Sequence, residues 1–328
     1  MNNVLFRFEA NEILGMGHAY RCINIIKVIR SKHSVNCIAA ISEQAMVSIE
    51  LLQESNIPFA VVKSDEDLFA YIVNNSVTTV VNDILNTDSG YVRRLKSLGC
   101  RVINFEDEGT GSIEADAVIN ELYESSIYPN YYCGKNYYCL PQNMLCQDKR
   151  EYSDTISTIG LLFGNTDPSH LTEKCLVALN QSDVSERYNI LVVVGKANAH
   201  QNEIEELIKH NKHHKSMELK QGGDLSIILS KLDVAVSSQG RTVFELAHYR
   251  IPSIILAQNE RETLHTFANI HNGFINLGLG SLVSERSIIN ALELICESQK
   301  VRHELYSSMD TIHLEKGIDR VINLILKN

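Results

Sequence analysis

The sequence predicts an α/β protein built from two Rossmann-like halves, and three observations carry that expectation. Short apolar, β-rich runs alternate with helix-length segments, the rhythm starts twice, and 328 residues suit two domains better than one. In the first series the expected strands are Val4–Phe8, Asn36–Ile41, Phe59–Val62, Thr79–Asn82 and Arg101–Phe105. Between them lie helical segments such as His18–Ser31, Glu43–Glu54 and Ser89–Leu98. The second series has Ile156–Phe163, Asn189–Val194, Leu232–Ser237 and Ser253–Ala257. Near-continuous apolar strands separated by helices predict parallel sheets covered on both faces. The stretch Tyr128–Tyr152 keeps neither period and holds six tyrosines, which want packing or hydrogen-bond partners. It is expected to be a tethered connection, dividing the chain into domains 1–150 and 151–328. The segment Lys316–Leu326 reads as a short amphipathic helix.

Composition narrows the functional classes. Apolar residues make up 44% and charged residues 21%, as in ordinary globular domains. The net charge of −10 is evenly spread, with 18 acidic against 13 basic residues in 1–150 and 22 against 17 in 151–328. Neither half carries the basic surface that a phosphate backbone requires, so no nucleic-acid partner is expected. The start MNNVLFRFEANE lacks the cationic region, apolar run and cleavage pattern of a signal peptide. The longest apolar stretches, such as Ile190–Val194 and Ile251–Ala257, are far too short for a membrane span. Eight cysteines form no C-x-x-C pair, and a chain of this size needs no disulfide staples. A reduced, cytoplasmic protein is the expectation.

Five stretches carry candidate chemistry. Gly15-Met16-Gly17-His18-Ala19-Tyr20-Arg21-Cys22 follows the first strand and opens a helix. Glycines there permit close backbone approach, and a helix N-terminus favours anions. The dinucleotide pattern G-x-G-x-x-G fails because Tyr20 takes the third glycine position, too bulky for close helix–strand packing, which disfavours an NAD-dependent oxidoreductase. His18 at the helix start would be kept neutral by the helix dipole and fit to act as a general base; a histidine that only caps a turn is the competing account. Phe163-Gly164-Asn165-Thr166-Asp167-Pro168 fits an N-cap plus N1 proline, or a phosphate-facing loop. Val194-Gly195-Lys196-Ala197-Asn198-Ala199-His200 is another strand end at the edge where α/β sheets bind ligands, though Gly and Asn also simply favour turns. Ser237-Ser238-Gln239-Gly240-Arg241-Thr242-Val243-Phe244-Glu245 is the most informative. Its backbone amides and hydroxyls suit a diphosphate, Arg241 adds charge, and Glu245 suits the two hydroxyls of a ribose. Thr242-x-x-Glu245 is equally a capping box. Ala257–His265 is a polar cluster that suits a sugar or base, or the start of a solvated helix. His210, His213 and His214 sit in a Lys-rich run without carboxylate or cysteine, so no metal is expected there.

Taken in order, these residues resemble the family of the UDP-2,4-diacetamido-2,4,6-trideoxy-β-L-altropyranose hydrolases of pseudaminic acid synthesis, grouped with the SpsG-like spore-coat polysaccharide proteins. The resemblance covers most of the chain. It runs from Arg7-Phe8-Glu9 and Gly15–Cys22 through Asn104–Asp107, Ala115–Asn120, Gly164–Pro168 and Gly195–Asn198 to Gly240–Asn259. It implies a GT-B fold, with two Rossmann-like domains facing across a cleft, the nucleotide held mainly by the second, and a last helix that crosses back. His18 would then activate water to attack the anomeric carbon, with UDP leaving. The turn Ser238-Gln239-Gly240-Arg241-Thr242, together with Gly195, would hold the diphosphate, and Glu245 the ribose. Arg7, Glu9, Gly15, Gly17, Arg21, Gly164, Asn165, Asp167, Asn198 and Asn259 would contact substrate. No metal or cofactor is implied. Arg241 beside the phosphates also suits a glycosyltransferase with a sugar hydroxyl in place of water, and a noncatalytic nucleotide-sugar-binding subunit is a third expectation.

Overall fold

The computed structural model describes residues 3–10, 16–146, 149, 151–195, 198–212 and 216–327, with backbone only at 47. The chain divides into two compact units, Met1–Gln142 with Leu314–Asn328, and Asn143–His313.

The first unit holds seven strands: β1 (Asn3–Phe8), β2 (Asn36–Ile41), β3 (Phe59–Val61), β4 (Thr79–Asp83), β5 (Arg101–Phe105), β6 (Ala117–Asn120) and β7 (Tyr131–Cys133). They form one sheet in the order β3-β2-β1-β4-β5-β6-β7, with every described pairing parallel. Its helices are α1 (Gly17–Lys32), α2 (Ile49–Glu54), α3 (Asp65–Asn74), α4 (Ser89–Ser97) and, from the far end of the chain, α13 (Gly317–Leu326). Because side chains alternate along a strand, Val4, Phe6 and Phe8 join one apolar cluster with α1 and α13, while Leu5 joins another with α3 and α4. Burial on both faces explains why the strands read as continuous apolar runs. Helix α13 is fixed through Ile318, Val321, Ile322 and Ile325. Arg101 adds hydrogen bonds to the carbonyls of Leu324 and Lys327, caring for the helix's last orphan acceptors.

The second unit repeats the plan with β8 (Thr158–Leu162), β9 (Asn189–Val194), β10 (Met217–Gln221), β11 (Val234–Ser238), β12 (Ser253–Ala257) and β13 (Phe274–Leu279). The sheet order is β10-β9-β8-β11-β12-β13, again parallel. Its helices are α6 (Leu171–Asn180), α7 (Val184–Arg187), α8 (Gln201–Lys209), α9 (Leu225–Leu229), α10 (Thr242–His248), α11 (Glu285–Glu297) and α12 (Gln299–Asp310); α5 (Gln142–Leu145) lies where the chain passes between units. In both sheets the order reverses beside the first strand, between β1 and β4 and between β8 and β11. Loops at the carboxyl ends of strands splay apart there and leave a crevice, the usual ligand position in such sheets.

Several expectations need correction. The stretch Tyr128–Tyr152 is not wholly a connection, because Tyr131–Cys133 is edge strand β7, too short to show a period. Glu43–Glu54 is a 3-10 segment over Glu43–Ser48 followed by α2, broken where Ala45 leaves helical geometry. Tyr20 is 55% exposed, so its bulk does not obstruct packing of α1, which uses Ala19, Cys22 and Ile23 instead. Among the described residues no helix is long and apolar enough to cross a membrane, and all eight cysteines are free thiols.

Candidate functional site

At the carboxyl edge of the first sheet, the crevice position is filled by a buried ionic network. Helix α1 begins at Gly17, so His18 and Arg21 lie on its first turns, both nearly buried. Asp83 ends β4, the strand across the switch point, and is fully buried. His18 Nδ1 lies 2.6 Å from Asp83 Oδ1. A carboxylate can only accept, so the imidazole proton sits on Nδ1 and leaves Nε2 as the acceptor in the neutral ring. Arg21 grips the same carboxylate with Nε at 2.8 Å and Nη2 at 2.5 Å. Its Nη1 donates to Glu106 at 2.6 Å and to Glu121, and its guanidinium lies 4.4 Å from the Phe105 ring centre.

One buried cation thus serves three buried carboxylates. Burial alone would push the Asp83 carboxyl up; the Arg21 guanidinium and then His18 override it and hold Asp83 far below the usual carboxylate range. Burial also opposes charge on Arg21, yet Asp83, Glu106 and Glu121 keep it firmly protonated. Glu106 sits at φ 51, left-handed backbone that a non-glycine residue adopts only when its surroundings hold it there. Behind the network, Tyr91 donates to Asn82, Asn82 to Asn104, and Asn104 to Asp107, so the polar strand ends satisfy one another.

Of the other first-unit residues expected at the site, Arg7 ion-pairs with Asp65 at 2.8 Å and lies over the Tyr91 ring. Glu9 accepts a hydrogen bond from Ser42. Gly17 is the first residue of α1. Gly15 lies outside the described residues.

The second unit brings the loops after β8, β11 and β12 together. Asp167 is buried, at φ 46, and accepts N–H bonds from Leu171 at 3.1 Å and Thr172 at 2.8 Å. It is therefore not the N-cap and Pro168 is not at N1, because His170 occupies the cap position of α6 without a side-chain bond. Asp167 reaches over that residue to satisfy the helix's first N–H groups from outside. Gln258 locks the arrangement, donating to Asp167 Oδ1 and the Phe163 carbonyl while accepting from the Ser169 N–H. We expect Asp167→Ala to lower unfolding stability by about 1–3 kcal/mol, since two helix N–H groups and a buried amide lose their acceptor. A urea midpoint unchanged from wild type would contradict that role.

Gly195 is required by packing, because a Cβ there would lie 2.0–2.4 Å from Asn165 atoms. Gly164 takes φ 86. Asn198 folds its Oδ1 back onto the His200 N–H, and Asn259 does the same for Glu262. Gly240 differs. Its φ is not positive, and a Cβ would meet nothing nearer than Glu262 Oε1 at 3.4 Å. Neither backbone nor packing demands glycine there. Ser238 and Gln239 are buried, with Gln239 exchanging hydrogen bonds with His265. The helix after the turn has Arg241, in helical geometry, at its cap and Thr242 as its first residue. Thr242 and Glu245 are thus not in the N-cap and N3 places, so the capping box does not form. Both are half-buried on the first turn of α10.

Glu262 was not singled out in the sequence, yet it lies against this turn. Burial pushes its carboxyl up to about 7, although backbone N–H bonds from Gln258 and Gln239 pull the other way. A carboxyl raised in the folded state adds stability fully present below its ordinary 4.5 and lost as pH rises through about 7. Wild type should therefore lose stability relative to Glu262→Gln between pH 5 and pH 8. Parallel unfolding midpoints across that window would contradict it.

Asp83 and Glu121 were also missed. The available signal was position: Asn82-Asp83 and Asn120-Glu121 are polar pairs that directly follow apolar strands, at the sheet edge where ligands sit.

No protein-family model matches the sequence. The chain is 25% identical over 323 residues to the spore coat polysaccharide biosynthesis protein SpsG of Bacillus subtilis, covering 95% of this chain and 94% of that protein. Among solved structures it is similar to MurG of Acinetobacter baumannii, with TM-score 0.73, 13% identity and full coverage of both chains. It is also similar to MnaA of S. aureus in a co-structure with UDP, with TM-score 0.67, 11% identity and coverage of 98% and 95%. The chain is thus similar to SpsG over nearly its whole length, and its two Rossmann-like units have the GT-B fold of these solved structures.

Proposed function

We propose that this protein is a nucleotide-sugar enzyme of surface-polysaccharide or nonulosonic acid synthesis that hydrolyses a UDP-activated amino or deoxy sugar, with His18 as the general base. The observation that carries the reading is the His18–Asp83 pair at the switch point of the first sheet. Asp83 fixes the tautomer, so Nε2 can take a proton from water as the oxygen attacks the anomeric carbon and the UDP oxygen leaves. The positive charge then forming on the ring faces a carboxylate that is ionised at every physiological pH. Glu106 and Glu121 hold Arg21, and Arg21 holds Asp83, which keeps the base aligned without a metal ion.

The nucleotide is assigned to the second unit. The turn Ser238–Thr242 offers backbone amides and hydroxyls at the sheet's switch point, and an unforced glycine at 240 admits a diphosphate close to the backbone. Glu245, half-buried on the first turn of α10, suits a ribose diol. The UDP co-structure of MnaA supports the choice of nucleotide class. Ionised Glu262 beside Gly240 would oppose a diphosphate, so binding should weaken as pH rises through about 7.

Transfer to a sugar hydroxyl is the second reading, favoured by Arg241 next to the turn and by the glycosyltransferase class of the fold. The two readings separate in water enriched in oxygen-18 with a panel of UDP-sugars. Hydrolysis releases UDP without an acceptor and places the label on the sugar's anomeric carbon. UDP release only when a sugar acceptor is supplied would establish the transferase instead.

A further inference from the structure

We propose that the second unit carries a transition-metal site, formed by His170, Glu173 and His200, which takes Zn²⁺ or a chemically similar divalent ion. Three observations point to it. One is the donor set: the ligand atoms of these residues all lie within 4.8 Å of one another. His170 Nδ1 is 2.9 Å from Glu173 Oε1, and the His170 and His200 rings lie 3.9 Å apart between centres. Two imidazoles and one carboxylate are a donor set of four-coordinate zinc sites with three protein ligands, the fourth position being left to water.

The second observation is an unmet acceptor. Glu173 Oε2 is buried and has no hydrogen-bond partner, in a side chain that is 15% exposed. A buried acceptor without a partner is costly, and a cation supplies what the surrounding chain does not. The third is access. The His170 side chain is 52% exposed, so an ion reaches the cluster from solvent. Bond lengths of about 2.0–2.1 Å need ligand atoms about 3.3 Å apart, a closure that side-chain rotation of roughly 1 Å provides.

The three residues lie where two strand-to-helix loops enter their helices. His170 precedes α6, Glu173 lies in its first turn, and His200 precedes α8. A bound ion therefore clips together the loops that follow β8 and β9, where Gly164, Asp167 and Asn198 lie. None of its ligands belongs to the His18–Asp83 network or is His210, so the site stands or falls separately from the proposed hydrolysis.

Calorimetric titration of tag-free protein with Zn²⁺, and with Co²⁺ for its visible absorption, tests the site. The expected result is one equivalent bound, with Co²⁺ showing the strong absorption of a tetrahedral site and Zn²⁺ raising the thermal midpoint. His170→Ala, His200→Ala and Glu173→Gln should each weaken binding by about tenfold or more, while His210→Ala leaves it unchanged. The metal-free midpoints of these variants show that they remain folded. No binding, binding that survives all three substitutions, or binding lost with His210→Ala overturns the proposal.

Discussion

Replacing His18 by alanine is expected to lower nucleotide-sugar turnover by about 10²–10⁴-fold while leaving UDP affinity within a few-fold of wild type. A general base at His18 would act only as the water oxygen attacks, so on this proposal its loss falls on turnover and not on the nucleotide binding proposed for the other unit. Asp83→Asn should reproduce most of that loss. An amide can turn its NH₂ toward the ring, in which case Nδ1 becomes the acceptor and Nε2 carries the proton. Because Asp83 also binds Arg21, its unfolding midpoint must be measured alongside. A His18→Ala protein that kept full turnover, or lost UDP binding in parallel, would remove the general-base role.

Arg21→Met is expected to cost about 3–5 kcal/mol of stability, or to prevent folding at neutral pH. The substitution keeps an apolar stem but leaves Asp83, Glu106 and Glu121 buried with no shared cation. Their carboxyls should then favour the protonated form, which makes the sign of the pH dependence definite. In the wild-type network Asp83 is held low, so its contribution is present above its ordinary 3.8 and lost only as pH falls below that. In the variant the raised carboxyls make stability fall as pH rises. The gap between the two proteins should therefore narrow from pH 7 toward pH 5 in urea unfolding. A gap below about 1 kcal/mol at pH 7 would show that the network adds little.

Much of the fold was legible because burial on both sheet faces leaves a coarse mark. β2, β5, β9 and β12 have the bounds that their apolar runs predict. β6, β7, β10 and β13 escaped. The last three are edge strands, only partly covered, and need no apolar run, whereas β6 is buried but spans only Ala117–Asn120. The site was legible as a set of strand ends and less so as a set of partners. His18 and Arg21 stand out beside their glycines, whereas Asp83 and Glu121 are 62 and 100 residues from Arg21 and meet it only through sheet order. The same limit applies in the second unit. Thr242-x-x-Glu245 has the spacing of a capping box, but helix α10 starts one residue too early to form it. Gln258 and Glu262 looked like an undistinguished polar run, yet one locks Asp167 and the other lies against Gly240.

The most direct test of the proposed function is calorimetric titration of UDP, CMP and NAD into wild type, His18→Ala and Glu245→Ala without added metal. UDP is expected to bind wild type and His18→Ala alike, and Glu245→Ala is expected to abolish binding in a protein with an unchanged unfolding midpoint. If no nucleotide binds wild type, or if Glu245→Ala binds UDP normally, the assignment of the second unit to a UDP-sugar is contradicted.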